Sequence, residues 1–158
     1  MKKRTKPVEY IVVHCSATRA GQDFRAEDIK YWHLKRGFAD IGYHYVVDLD
    51  GTIEVGRDES LIGAHAAGYN DRSIGVCYIG GYDGDTRTKE QKEALLELLF
   101  DLWVHHPRCK VVGHRDLSPD RNGDGKITRD EWIKLCPCFD AAEEYSDVKL
   151  LHYGFGTL

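Results

Sequence analysis

One stretch of this chain carries the donor atoms of two chemically different metal sites. It begins with His114 and ends with Cys136, an imidazole and a thiol, which are donor types that zinc prefers. Between them, residues 120–131 match the calcium-loop pattern D-x-[DN]-x-[DN]-G-x5-E at every defined position. A zinc site needs a further ligand from elsewhere, and His14 is the best placed candidate because it ends an apolar run. The residue types therefore predict a zinc site and a separate site for a hard cation such as calcium.

The zinc donors indicate catalysis rather than a closed structural site. His14, His114 and Cys136 would leave a fourth tetrahedral position open to water, as catalytic zinc sites do. No paired C-x-x-C spacing of a zinc ribbon occurs among the five cysteines. Zinc lowers the pKa of a bound water toward about 7 and polarises carbonyl oxygens, so the chemistry indicated is hydrolysis of an amide or ester. The alternative is that any one of the three is an ordinary core residue.

Every ligand position of the calcium-type loop is filled. The candidate oxygen ligands are those of Asp120, Asn122, Asp124, the carbonyl of Lys126, and Glu131. Pro119 precedes the loop and no second loop exists to pair with it, which argues against an ordinary EF-hand. We expect Glu131 to begin a short exit helix, so that calcium would order Lys134 and Cys136 just beyond it. The alternative is a surface turn rich in Asp, Asn and Gly that binds no ion.

Length and charge narrow the function classes. A chain of 158 residues is expected to form a single domain over residues 1–158, with a core at about 8–145 and the calcium-type loop inserted. The net charge of -4 and a pI near 6.0 provide no basic surface for nucleic acid or an anionic membrane. No apolar stretch approaches the ~18–20 residues of a membrane span, and the N-terminus lacks a signal-peptide core. We expect a monomer made in the cytoplasm, with its five cysteines reduced.

The elements that must position these residues alternate between strands and helices. Strands are predicted at about residues 8–13, 43–49, 52–55, 73–79 and 110–113, the first and last of which present His14 and His114. Helices are predicted at about 25–36, capped by Asp23, at 88–104, opened by a capping box at Thr88, and from Asp140 onward. The tail at 153–156 is expected to be loosely ordered. The fold class is α/β, with a central mixed β-sheet flanked by helices.

Short motifs along most of the chain resemble one enzyme family. They occur in order at residues 14–18, 42–45, 50–52, 56–57, 63–66, 69–70, 73–76, 113–114 and 136–140. In this order they resemble the type-2 N-acetylmuramoyl-L-alanine amidases, a family that includes phage lysozyme-like amidases and peptidoglycan recognition proteins. The resemblance covers about residues 8–140. It implies an amidase or peptidoglycan-recognition-protein-like fold, and a zinc enzyme that cuts the amide between N-acetylmuramic acid and L-alanine of peptidoglycan.

The resemblance also implies roles for individual residues. It assigns the zinc to His14, His114 and Cys136. Cys138 is a possible rival to Cys136, but the family position is a cysteine followed by proline, which favours Cys136. Tyr43 would orient or help to deprotonate the zinc-bound water, and Lys134 would stabilise the developing oxyanion.

His65 and Asn70 are expected to contact the muropeptide from the wall of the groove. The alternatives are structural: Tyr43 as a strand aromatic, Lys134 as a solvated lysine, and His65 as a packed histidine.

The resemblance leaves three functions open. The first is a lytic, endolysin-type amidase of a phage or prophage, acting on the bacterial cell wall after release. The second is a module that binds muropeptides without cutting them, which the presence of Tyr43 and Cys136 disfavours. The third is a cytoplasmic amidase that trims recycled muropeptides, which the sequence separates poorly from the first.

Overall fold

Five strands form one mixed sheet, as predicted. The computed structural model describes residues 1–156. The strands are β1 (Tyr10–Cys15), β2 (Tyr45–Val47), β3 (Ile53–Val55), β4 (Ser73–Tyr78) and β5 (Lys110–Gly113). Their order across the sheet is β3-β2-β4-β1-β5; β2, β4, β1 and β5 run parallel, and β3 pairs antiparallel with β2. The predicted fold class is therefore confirmed. The single-domain prediction also covers residues 157 and 158, which lie outside the described residues.

The two central strands are covered on both faces because their sequences are almost entirely apolar. One apolar cluster joins side chains of β1 and β4 to helix α2 (Lys89–His105), including Val13, Val76 and Leu99. A second cluster joins the sheet to helix α1 (Ala26–Lys35) through Ile29 and Cys77. Strands buried on both faces are typical of parallel sheets flanked by helices. This packing fixes the strands, and with them the positions of the residues at their C-terminal ends.

The N-terminal cap predicted from the sequence is present in α2 but not in α1. The predicted capping box of α2 is present, with Thr88 accepting a hydrogen bond from the backbone of Gln91. For α1 the predicted cap, Asp23, is wrong, because the N-cap is Arg25. The first N–H groups of α1 are satisfied instead by Asp28, which accepts from the Arg25 N–H, and by Glu54 of β3.

The C-terminal segment is more regular than predicted. Helices α3 (Ala141–Glu144) and α4 (Asp147–Gly156) follow the predicted cap at Asp140. The tail at 153–156 lies within α4, so the prediction of loose order is wrong. Its packing is the reason: the ring of Tyr153 contacts Phe100 of α2, and a methyl group placed on Gly154 would lie 2.8 Å from the same ring.

The segment between β5 and α3 contains no α-helix or strand. It begins with a 3-10 turn at His114–Leu117 and has a second 3-10 turn at Arg129–Glu131. The predicted exit helix is wrong, because Glu131 ends this turn and Trp132 has extended backbone angles. The N–H of Ile133 donates to the side chain of Ser118 rather than to a helical carbonyl. Polar side chains thus take the backbone bonds that a helix would have used.

No helix in the described part of the chain combines the length and apolar character that a membrane span requires.

Candidate functional site

Two predicted zinc donors lie side by side because they occupy matching positions on paired strands. β1 and β5 are parallel neighbours with Val13 opposite Gly113, so His14 and His114 are the next residues in register. Their ring centres are 4.6 Å apart. The sheet thereby brings together two imidazoles that are distant in the sequence.

Cys136 reaches the same point from the irregular segment. One donor atom from each of His14, His114 and Cys136 lies within 4.8 Å of the others. The N–H of Cys15 donates to the Cys136 sulfur at 3.1 Å, and the N–H of Arg115 donates to the Cys136 carbonyl at 2.9 Å. The residues that follow the two histidines therefore hold the cysteine in place.

Both histidines are held in the neutral form that a metal requires. Burial is the main cause of a pKa for His14 well below its usual value, and the charges of His65, His114 and Lys134 add to it. Burial, with Lys134, lowers the pKa of His114 to about 4. A neutral imidazole keeps a nitrogen lone pair free, so each ring can act as a ligand at neutral pH.

His65 lies against the buried donor His14. Its Nδ1 is 2.9 Å from Nε2 of His14, and its Nε2 is 3.3 Å from the hydroxyl of Ser73. Two glycines make room for its ring, since a methyl group on Gly75 would lie 2.6 Å from it. His65 also lines the cleft that contains the donors. Its closest contact in the site is nevertheless the His14 ring, which it orients.

Asn70 organises the loop that carries His65. Its side-chain oxygen accepts from the backbone N–H groups of His65 at 2.8 Å and Ala66 at 2.9 Å. The residue lines the cleft as well. His65 and Asn70 thus both line the cleft and both have structural bonds there, and contact with a muropeptide stays a prediction for each.

Tyr43 faces the donors from the side of α1. Its ring centre is 5.0 Å from that of His14 and 5.4 Å from that of His33. Burial, followed by the neighbouring thiols of Cys77, Cys136 and Cys15, raises its pKa well above the usual value. The phenol consequently keeps its proton at neutral pH and can act as a hydrogen-bond donor.

Sequence reasoning did not assign His33 to the site. Its Nδ1 accepts the N–H of Gly42 at 2.9 Å, and its ring contacts Phe38 and Tyr43. It also lines the cleft. The sequence does place His33 on the inward face of α1, shortly before the Gly42–Tyr43 motif. A histidine that only packs in the core would have the same position, so the pattern could not identify it as a site residue.

Lys134 is exposed and brings positive charge to the donors. That charge contributes to the lowered pKa of both His14 and His114. Within residues 1–156, no carboxylate forms an ion pair with its ammonium group. The side chain is therefore available to a group bound in the cleft.

The donors lie in a cleft of about 1140 Å³ with walls from both halves of the site. The sheet side contributes His14, Tyr43 and His65, and the irregular segment contributes Trp132 and Lys134. Four cationic side chains line it, namely Arg36, Arg115, Arg129 and Lys134. Among the lining residues Asp83 is the one carboxylate. The cleft therefore favours an anionic ligand.

The calcium-type loop folds its carboxylates toward one point. Carboxylate oxygens of Asp120, Asp124 and Glu131 lie within 4.8 Å of one another. Asp120 accepts the N–H groups of Gly123 and Gly125, and Glu131, only 3% exposed, accepts those of Arg121 and Thr128.

The two other predicted ligands belong to the same turn. The side-chain oxygen of Asn122 accepts the N–H of Asp124, and the N–H of Lys126 donates to the Asp124 carboxylate.

Comparison with known proteins supports the resemblance. The profile of the N-acetylmuramoyl-L-alanine amidase family matches residues 4–128, and so ends before Lys134 and Cys136. The endolysin of Klebsiella phage KP32 is 38% identical over 135 residues, which are 82% of this chain and 80% of that protein. N-acetylmuramoyl-L-alanine amidase LysC from Clostridium intestinale superposes with a TM-score of 0.72 at 25% identity, covering 96% of this chain and 93% of LysC. Bumblebee PGRP-SA superposes with a TM-score of 0.73 at 21% identity, covering 93% of this chain and 85% of its own, which shows the fold alone.

Proposed function

Since this chain belongs to the N-acetylmuramoyl-L-alanine amidase family and is a peptidoglycan amidase, we propose that it works as a zinc enzyme of the phage lytic type. The bond cut is the amide between N-acetylmuramic acid and L-alanine. One observation carries the proposal: two neutral imidazoles and a thiol converge within 4.8 Å at the floor of a large cleft.

The donor set fits zinc. Nitrogen and sulfur donors suit a borderline-soft ion, and the three protein ligands match an open catalytic site. When bound, zinc supplies Lewis acidity and lowers the pKa of water toward about 7. His14, His114 and Cys136 would hold it, and His65 would fix the ring of His14 through the contact of its Nδ1 with Nε2 of His14.

Two side chains around the donors have the other catalytic roles. Tyr43, protonated at neutral pH, would donate a hydrogen bond to the attacking water and orient it. Lys134 places a positive charge where negative charge develops on the carbonyl oxygen of the scissile amide. Its lack of an ion-pair partner among the described residues supports this role, because the charge is not neutralised by the protein.

Similarity to phage endolysins supports a lytic role for the amidase activity. The enzyme would act on the cell wall after release from the cytoplasm, and a recycling amidase would instead prefer soluble muropeptides. Digestion of intact sacculi and of soluble fragments by the same preparation separates the two. Faster release from sacculi supports the lytic role, and activity on fragments alone contradicts it.

We propose calcium as a second ion, bound by Asp120, Asn122, Asp124, the carbonyl of Lys126, and Glu131. The convergence of three carboxylates in the turn supports it. Calorimetric titration of zinc-loaded protein with Ca²⁺ tests this, with Asp124→Asn as the matched control. Absence of binding heat in the parent protein at millimolar Ca²⁺ contradicts the calcium site.

The amidase itself is tested with zinc-loaded protein and purified peptidoglycan. New L-alanine amino groups without new reducing sugars are the expected products, and Cys136→Ser should yield neither. Tyr43→Phe and Lys134→Met should each lower the rate while leaving the zinc content unchanged. Retention of muropeptide without cleavage would instead indicate a recognition module.

A further inference from the structure

Arg115 is a half-buried arginine of the cleft whose side chain has an incomplete set of hydrogen bonds. It follows His114 in a 3-10 turn, and its guanidinium carbon lies 3.9 Å from the centre of the Trp132 ring. Its Nε is buried without a hydrogen-bond partner, and the Nε1 of Trp132 is in the same condition. Within residues 1–156, no carboxylate forms an ion pair with its guanidinium.

Elsewhere the chain bonds its buried arginines fully. Arg87 also stacks on an aromatic ring, that of Phe139, and its nitrogens donate to Asp85 and Glu144 at 2.6 to 3.0 Å. Arg57 donates from all three side-chain nitrogens to backbone carbonyls at 2.8 to 3.2 Å. Arg115 differs from both, because it is only half-buried and none of its side-chain nitrogens bonds a group of residues 1–156. Its terminal nitrogens are therefore open to a partner from outside the chain.

The position of Arg115 identifies the kind of partner. Its backbone N–H bonds to the carbonyl of Cys136, so the side chain belongs to the cleft immediately beside the three donors. Stacking on Trp132 fixes the plane of the guanidinium, and a fixed guanidinium fork matches the two oxygens of a carboxylate. The surrounding cations favour the same sign of charge in the ligand.

We propose that Arg115, held by Trp132, binds a free carboxylate of the peptide stem next to the scissile amide. It thereby selects stems with a carboxylate over stems in which that group is a carboxamide. This inference rests on the proposed amidase function, since it places the peptide side of the substrate in the cleft. Trp132 acts through Arg115 and is a positioning residue.

The test uses two muropeptides that differ only in one stem carboxylate, free in one and amidated in the other. The parent enzyme should prefer the free acid through KM, by about 10- to 100-fold, the range expected for hydrogen bonds to charged groups. Arg115→Gln should remove most of this preference with little change in kcat. Arg115→Lys should retain part of it, and Trp132→Phe should retain more than Trp132→Ala.

Arg129→Gln, which removes another cation of the cleft, is the matched control and should lower the preference far less than Arg115→Gln does. Zinc content is measured for every variant, because Arg115 adjoins His114. An equal loss on both substrates in Arg115→Gln, or no preference in the parent enzyme, overturns the proposal.

If no variant or parent cleaves either substrate, the amidase proposal has failed. Calorimetry with the Cys136→Ser variant then still compares binding of the two muropeptides. Equal affinities in that measurement overturn the role of Arg115 independently of catalysis.

Discussion

The two halves of the site are built on different physical principles. The sheet half consists of His14 and His114, which parallel strands deliver in register from an apolar core. The other half, residues 118–136, has no strand or α-helix and is shaped by bonds from side chains to its own backbone. Cys136 and Lys134 come from this second half.

The two halves should therefore differ in how strongly their geometry depends on single side chains. Hydrophobic burial of whole strands gives the sheet half a geometry that no single polar contact decides. In the irregular half, individual carboxylates and hydroxyls decide the backbone path, so a single side chain or a bound ion can move Cys136 relative to the histidines.

The largest effect is expected from removing a donor, and the two halves should differ in what else is lost. His14→Ala and Cys136→Ser should each lower amidase activity by at least about 100-fold, since even partners behind metal ligands matter by about 10- to 100-fold. Only His14→Ala should also destabilise the metal-free protein, because His14 is 1% exposed and bonded to His65. Activity assays and thermal unfolding measure the two effects. Equal destabilisation by both variants would contradict the comparison.

The next effect is acid sensitivity of the sheet half through His44. Its Nδ1 accepts the N–H of Gly75 and its Nε2 donates to the carbonyl of Leu61, so the folded protein needs the neutral ring. Burial lowers its pKa from 6.5 to about 4.

A lowered histidine pKa means that this stability is complete above pH 6.5 and is lost as the pH falls from 6.5 to about 4. The loss should amount to about 3 kcal/mol, at ~1.4 kcal/mol for each pH unit. The free energy of unfolding of metal-free protein, compared with His44→Asn at each pH, measures it. Parallel pH curves for the two proteins would contradict the assignment to His44.

A smaller effect is expected from Glu131→Gln in the irregular half. The buried carboxylate accepts backbone N–H groups from both sides of the turn, and the amide loses the charge that strengthens those bonds. The free energy of unfolding should fall, and by less than the loss expected at His44. Zinc affinity should fall with it, because the path to Cys136 begins at this turn. Asp130→Asn, an exposed neighbour, is the control, and unchanged zinc affinity in Glu131→Gln would show that the turn does not position the thiol.

How far the sequence predicted each half follows from the same contrast. Apolar runs predicted the strands that carry His14 and His114, and β5 has the predicted bounds. The loop pattern predicted that Asp120 and Glu131 would converge, which is what a dense set of carboxylates and glycines does locally. The predicted exit helix failed because the N–H of Ile133 donates to the Ser118 hydroxyl, and this contact could not be predicted from helical spacing.

The sequence also could not predict side-chain contacts between irregular segments of the chain. The stacking of Arg115 on Trp132 joins two turns that have no periodic pattern, and the bond from His65 to His14 depends on a loop path. A motif resemblance identifies such residues as members of a site. It does not tell which of them touch the substrate and which touch one another, because both kinds lie within a few ångströms of the donors.

The smallest effect is expected where the irregular half exposes apolar surface. Leu135 is 63% exposed between Lys134 and Cys136, and Leu99 of α2 is fully buried. Leu99→Ala should destabilise the protein by about 2–5 kcal/mol, whereas Leu135→Ala should change stability by less than about 0.5 kcal/mol. Chemical denaturation measures both.

Leu135 lines the cleft, where its exposed side chain can contact a bound substrate. Leu135→Ala should therefore raise KM for peptidoglycan while the free energy of unfolding stays constant. A substantial loss of stability in Leu135→Ala would mean that the irregular half has an apolar core of its own. It would then be a packed unit like the sheet half, and its shape would no longer depend on polar bonds alone.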